Sequence, residues 1–463
     1  MTRLRPLLVT ALALLVSGCA TVSKEEAFSD VNHQLEQRTG VKAHWLLGGD
    51  EDRAAEAHVR QLLSGELTAD GALAVALLRN RRLQARYENI GIAQADLVQA
   101  GLLKNPSFSA SVGFPNLAGA NLETDFSLVQ DFLSIFTIPL RRKLAGAELE
   151  RTKLQVGAEL IDVAAQVRGA YFAVVADQQL LEMWRNVVAA EEAATALATK
   201  QLEAGNIQSF DLDQQLDQLG GAKLALGRAE LSANDDRERL TRLMGLWGKD
   251  VSFRVPARLP NAPASVEPLD DAEAVAIGQR MDLAAAIQQR DTLAYSLSLV
   301  TGTRFLPGLQ LGVSTQRGSP EGVRVTGPTL ELELPLFDQG QGRVGRLEAE
   351  VRQAQDEVSA LAVEIRSEVR AARTQFTAAR STVNYYQREV LPLRERLVQA
   401  AQLQYNAMQI GLYRLLAVKQ RQIEGGRDYV EALRSYWTSR ADLERVLGGR
   451  LPDEAEPASG APR

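Results

Sequence analysis

The sequence predicts a mainly α-helical chain with a small β part, built as two copies of one helix–strand–strand–helix unit. The first reason is repetition. The second half of the 463-residue chain reads like the first half displaced by about two hundred residues. Ala74-Val75-Ala76 with Leu83 returns as Ala274-Val275-Ala276 with Leu283, and Lys143-Leu144-Ala145-Gly146 returns as Arg343-Val344-Gly345-Arg346. The second reason is that helical periodicity gives way, once in each copy, to short alternating segments. The third is that each copy then runs for roughly 70 residues without a breaker, several times the ordinary helix length. A repeat of this size is a whole supersecondary unit, and two strands per copy are too few for a sheet that stands alone. The design therefore implies assembly with further copies.

The elements follow in order. Arg3 and Arg5 precede the apolar stretch Leu7–Val16, which is too short to span a bilayer. Val16-Ser17-Gly18-Cys19 resembles a bacterial lipobox. Residues 1–18 are thus expected to be a lipoprotein signal peptide, with Cys19 lipidated (palmitate included) as the mature N-terminus. Cys19 is the only cysteine, so no disulfide can form. Ala20 rather than Asp after it points, by resemblance to bacterial lipoproteins, to the outer membrane. Losing Arg3 and Arg5 takes the formal charge from −6 to −8, the wrong sign for a nucleic-acid partner. Beyond the leader no eighteen-residue apolar run occurs, so a membrane-spanning part would have to be a closed β-barrel.

Residues 19–66 are mixed and polar and read as an irregular N-terminal anchor or equatorial segment. His33, His44 and His58 there share no metal-ligand spacing and read as surface residues. The first repeat occupies 67–250. Thr68 and Asp70 are candidate caps of a helix running to about Leu103, on which Arg79, Arg81, Arg82 and Arg86 form a solvated face. Strands follow at about 106–114 and 122–132. Phe108, Ala110, Val112 and Phe114 alternate with serines and glycine; Leu122, Thr124, Phe126 and Leu128 alternate with Glu123, Asp125 and Ser127. Phe126, Phe132 and Phe136 are candidates for an aromatic girdle, or for core packing. Pro139 is placed to open a helix that lasts to Gly205-Asn206, roughly 100 Å, with Leu160, Val163, Val167, Ala170 and Val174 as its coiled-coil seam. After a proline-rich linker at 251–268, the second repeat at 269–448 follows the same course. Its strands fall at about 307–315 and 325–334, with Glu331 and Glu333 opposite leucines, and Pro335 opens its long helix. A polar tail covers 449–463.

These residues together resemble the TolC family of outer-membrane efflux ducts. The segment ELTADGALAVALLRNRRL, ending at Leu83, resembles the family's opening helix. Arg280-Met281-Asp282-Leu283 is similar to the second repeat's Arg-x-Asp-Leu. Leu334-Pro335-Leu336-Phe337-Asp338-Gln339-Gly340 resembles the strand-to-helix signature, and Leu202-Glu203-Ala204-Gly205-Asn206-Ile207 the first periplasmic turn. The likeness spans about residues 42–447.

It implies a TolC-like homotrimer: an α-helical barrel of long coiled-coil hairpins plus a twelve-stranded transmembrane β-barrel, four strands per protomer, an even count without open edges. It also implies a periplasmic adaptor (membrane fusion) protein, an inner-membrane pump of RND type and outer-membrane lipid as partners, in a Gram-negative bacterium. The chain departs from the family at its second turn. Met408 stands where a glycine is usual, Gly411 is expected to supply the turn instead, and Arg414 occupies the place equivalent to Asp211.

Site expectations follow. Glu123, Asp125, Glu331 and Glu333 would face the pore lumen and favour cations, or merely solvate it. Gly205, Asp211, Met408, Gly411 and Arg414 would form the periplasmic tip and gate, with an Asp211–Arg414 ion pair as a latch or the two as plain surface charges. Ile207, Phe210, Leu212, Ile410, Tyr413 and Leu415 would dock the adaptor, or pack within their own hairpins. No phosphate loop, nucleophile elbow or metal motif is present, so no enzyme and no cofactor are expected. The resulting function is the passive exit duct of a tripartite efflux system. The other readings are a type I secretion duct for a polypeptide and a non-pore periplasmic structural lipoprotein.

Overall fold

The computed structural model describes residues 24–114, 122–131, 133–263, 269–305, 308–317, 323–333 and 336–451; the side chains of 24–26, 133–136, 308–309 and 332–333 are left aside. Cys19, Phe132, Pro335, the side chains of Phe136 and Glu333, and the loops around Pro115 and Ser319 fall outside this description. The chain divides into two compact units, one holding Glu88–Gln155 and Asp282–Leu361, the other Asp30–Tyr87, Val156–Met281 and the chain from Ala362.

The first unit carries the sheet. Strands β1 (Ser107–Gly113), β2 (Glu123–Asp131), β3 (Gly308–Arg317) and β4 (Arg324–Glu333) lie in the order β1-β2-β3-β4. All pairs are antiparallel, and the β2–β3 pair joins the two repeats. Alternation sets the faces. Phe108, Phe126, Leu128, Leu311, Val313 and Leu330 fall on one side by register, and the Phe108 and Phe126 rings lie 6.3 Å apart. On the other side the Ser109 and Ser127 hydroxyls meet at 2.8 Å. Gly312 falls on that polar side by register, and a side chain is excluded there because a Cβ would sit 2.7 Å from the Leu128 carbonyl oxygen and 2.7 Å from Thr329 Oγ1. Among the described residues nothing covers the apolar side: Phe108 and Leu330 are each 67% exposed.

The second unit is helical. The expected irregular N-terminal segment instead contains helices α1 (Lys24–Thr39) and α2 (Asp50–Ser64), and Leu35, Trp45 and Val59 are buried. Thr68 caps α3 (Ala69–Arg79), its hydroxyl accepting the Gly71 N–H at 3.0 Å. The helix expected to continue to Leu103 breaks at Asn80 and resumes as α4 (Arg81–Ala100); Asn80 Nδ2 donates to the Leu243 carbonyl at 2.9 Å. Arg79 does not sit on a solvated face: it pairs with Glu56 at 2.5 Å and Asp250 at 2.7 Å.

Helix α5 (Leu133–Glu203) begins before Pro139, which lies inside it. Past the four free N–H groups of the first turn, the proline there costs the helix one backbone bond. Its seam is buried at Leu160, Val167, Ala170 and Val174. Helix α6 (Ser209–Met244) ends at Gly245, where φ is +68°. In the second repeat α7 (Ala272–Gln279) and α8 (Met281–Thr303) break at Arg280 as α3 and α4 break at Asn80.

The next long helix starts at Gln341 rather than Pro335, because the Asp338 carboxylate takes the Gly340 N–H at 2.8 Å and Gly340 turns at φ +75°. It runs as α9 (Gln341–Tyr385), a π-helical turn (Tyr386–Val390) and α10 (Leu391–Asn406), before α11 (Leu412–Leu447) returns. The linker is packed down: Phe253, Val255 and Leu259 are buried and Trp437 Nε1 donates to the Pro260 carbonyl at 2.9 Å.

Buried charges bind this unit. Arg168 of α5 reaches the Thr39 carbonyl at 2.7 Å, Asp70 at 2.9 Å and Glu444 at 3.1 Å. Arg434 of α11 holds Asp177 of α5 at 2.9 Å and Asp236 of α6 at 2.6 Å. Burial raises the Asp177 carboxyl to about 6; Arg434 opposes the rise and Asp236 adds to it. No described helix is long and apolar enough to cross a membrane.

Candidate functional site

The sheet register brings the strand carboxylates to one face. Asp125 pairs with Ser111 and Gln316, Glu123 with Gly113, Glu331 with Gln310 and Glu333 with Gly308, all of the same parity. Asp131, opposite Gln310, belongs to that face too and pairs with Lys104 at 3.1 Å. The alternation that marked Glu123 and Asp125 reaches it if continued along β2. Among the described residues Asp125 Oδ1 has no hydrogen-bond partner. The arrangement is a strip of carboxylates, serines and glutamines opposite an apolar strip, on four strands with open edges at β1 and β4.

The two hairpin turns are built alike. Gly205, at φ +72°, donates to Leu202 at 2.9 Å, and Asn206 donates to Gln201 at 2.8 Å. Met408, at φ +57°, donates to Tyr405 at 2.9 Å, and Gln409 donates to Gln404 at 2.8 Å. Gly411 is therefore not the turn residue. It caps α11 in an extended conformation, φ −76° and ψ 163°, while Met408 takes the left-handed geometry.

Nor is the Asp211–Arg414 pair formed within the chain. Asp211 Oδ2 instead accepts the Gln208 N–H at 3.0 Å in a capping box, and no ion pair joins it to Arg414 among the described residues. Phe210 and Met408 stand 71% and 94% exposed, with Tyr413 also outward. Ile207, Leu212 and Ile410 are half-buried. Leu415, expected at the docking surface, is only 5% exposed and packs inward.

The chain matches no known family model. It is 23% identical over 401 residues to the cobalt-zinc-cadmium resistance protein CzcC of Cupriavidus metallidurans, across 83% of this chain and 91% of that one. The solved structure of CusC, described in connection with folding and transmembrane channel formation, superposes with a TM-score of 0.67 at 16% identity, covering 82% of this chain and 92% of its own. The outer-membrane protein VceC of Vibrio cholerae gives 0.67 at 16% identity, over 83% of this chain and 97% of its own. The chain therefore shares the fold of these solved proteins.

Two features of the site escaped the sequence. Met408 in a left-handed turn runs against side-chain preference, and only its alignment with Gly205 across the repeat signals it. The Asp177–Arg434–Asp236 cluster joins residues far apart in sequence, and no local pattern links them.

Proposed function

We propose that three copies of the chain form a conducting exit duct, closed as a twelve-stranded barrel with the carboxylate face inward and the apolar face toward lipid. The observation that carries this reading is the four-stranded sheet whose apolar side no described residue covers, while its other side is acidic. A sheet with open edges and an exposed apolar face gains stability when the edges pair and lipid takes the apolar side. Cys19 anchors the duct by its lipid. The hairpin tips meet a periplasmic adaptor through Phe210, Met408 and Tyr413, and an inner-membrane pump of the RND class supplies the energy, passage through the duct being passive.

The lumen carboxylates favour cations. With the metal-resistance relative, this makes divalent metal ions the favoured cargo, ahead of a secreted polypeptide. Reconstitution into planar bilayers tests the pore: discrete conductance steps are expected, and a periplasmic scaffold would give none. A photocrosslinker at Phe210 or Met408 should capture the adaptor in cells. Capture from the strand face instead would contradict the assignment of the tips.

A further inference from the structure

Helix α6 carries glycines where a helix gains nothing from them. Gly220 and Gly221 lie mid-helix at ordinary backbone angles, and a Cβ on either would meet no atom within 4 Å. Glycine is the poorest helix former after proline, so neither local conformation nor close packing accounts for them. The space above Gly221 belongs to a cavity of about 300 Å³ between α5, α6 and α11. Its floor is Met183, Val187 and Ile423, and the same three side chains line a neighbouring cavity of about 340 Å³ beside Gly426.

The rim has a definite charge. Glu191, Asp217 and Glu424 stand around the cavity with one cation, Arg427, whose guanidinium already donates to Asp428 at 2.6 Å. Glu191 is fixed in place by the Gln215 amide at 2.5 Å. Trp184 contributes an indole to the same wall. An apolar floor of drug-sized volume, an aromatic face and an excess of carboxylates are the elements that recognise an organic cation.

We propose that this cavity binds a lipophilic organic cation, its apolar body over Met183 and Ile423 and its charge between Trp184, Glu191 and Asp217. The site stands whether or not the chain conducts, because its test is binding. Titration calorimetry on the purified full-length protein in detergent, with benzyltrimethylammonium as probe, should give saturable binding. The uncharged isostere neopentylbenzene partitions more strongly into detergent and should show only non-saturable uptake, read against protein-free detergent.

Trp184→Ala, and separately Glu191→Gln with Asp217→Asn, should weaken binding about tenfold, while Trp184→Phe retains most of it. Gly221→Leu should fill the cavity and abolish binding, with elution volume and melting temperature checked against wild type. If Gly221→Leu does not fold, the Trp184 and carboxylate variants decide. No saturable binding to the wild-type protein, which is also the result if a second copy or a partner covers the cavity, overturns the proposal. Equal binding of the isostere, or wild-type affinity in those variants, does the same.

Discussion

The turn at Gly205 and the turn at Met408 have the same hydrogen bonds and the same left-handed residue, yet one uses glycine and the other a fully exposed methionine. A non-glycine residue in that region is uncommon and strained, so the backbone geometry was kept across the repeat while the side chain was not. The difference teaches that the copies share a scaffold and diverge at its exposed points. The helices behind the turns diverge as well. Helix α5 is unbroken, whereas its counterpart contains the π-helical turn Tyr386–Val390 followed by Pro392. A π-turn inserts an extra residue and is a recurrent place for a helix to bend.

The same contrast appears at the helix joints, and the largest effects are expected there. Gly245 faces the Asn80 break so closely that a Cβ would sit 2.6 Å from the Arg79 carbonyl oxygen, whereas at Gly448 the nearest approach, to Gln279, is 3.3 Å. Gly245→Ala should cost about 3 kcal/mol, adding backbone overlap to the strained φ, and Gly448→Ala about 1 kcal/mol. Thermal unfolding of the two variants compares them directly, and equal losses would mean that the two joints are not packed differently.

Arg434 links the copies, since it bridges Asp177 and Asp236 of the first from the last helix of the second. Arg434→Met should cost about 3 kcal/mol by leaving two carboxylates unpaired. Asp177 also gives this joint a pH dependence. Its folded pKa of about 6 lies above the ordinary carboxylate value, so the fold favours the protonated form. Its stabilising contribution is complete below the unfolded pKa and is lost as pH rises through about 6. The melting temperature should therefore rise as pH falls from 7 to 5, and Asp177→Asn should remove that part of the rise. An unchanged slope in the variant would assign it to other groups.

The smallest effects concern the tips. Met408→Gly should stabilise by about 1 kcal/mol and Gly205→Met destabilise by a similar amount. If Met408 serves adaptor docking, the stabilised variant loses efflux while gaining stability, and a purely structural residue would show no such split. Asp211→Ala should cost about 1 kcal/mol through its capping box, and Arg414→Ala almost nothing. Conductance unchanged in both single variants and in the double variant would exclude them as a latch between chains.

The strands were legible because a period of two is unmistakable when serine and phenylalanine alternate, and the repeat itself fixed the order of elements. The breaks at Asn80 and Arg280 were not legible. Neither carries proline or glycine, and the first is closed by a contact with the Leu243 carbonyl far along the chain. Leu415 follows the alternative of packing within its hairpin, because proximity to a turn does not fix which way a helix face points. Asp338 could have been read correctly, since an aspartate two residues before glycine is a turn signal that delays the helix beyond Pro335.

The central claim is that the acidic strand face lines a pore. Reversal potentials across planar bilayers under a salt gradient test it most directly, comparing wild type with the Glu123→Gln, Asp125→Asn, Glu331→Gln, Glu333→Gln variant. Discrete wild-type conductance with a cation preference that falls in the variant is the predicted result. Identical selectivity in both, or no conductance from correctly assembled wild type, would contradict it.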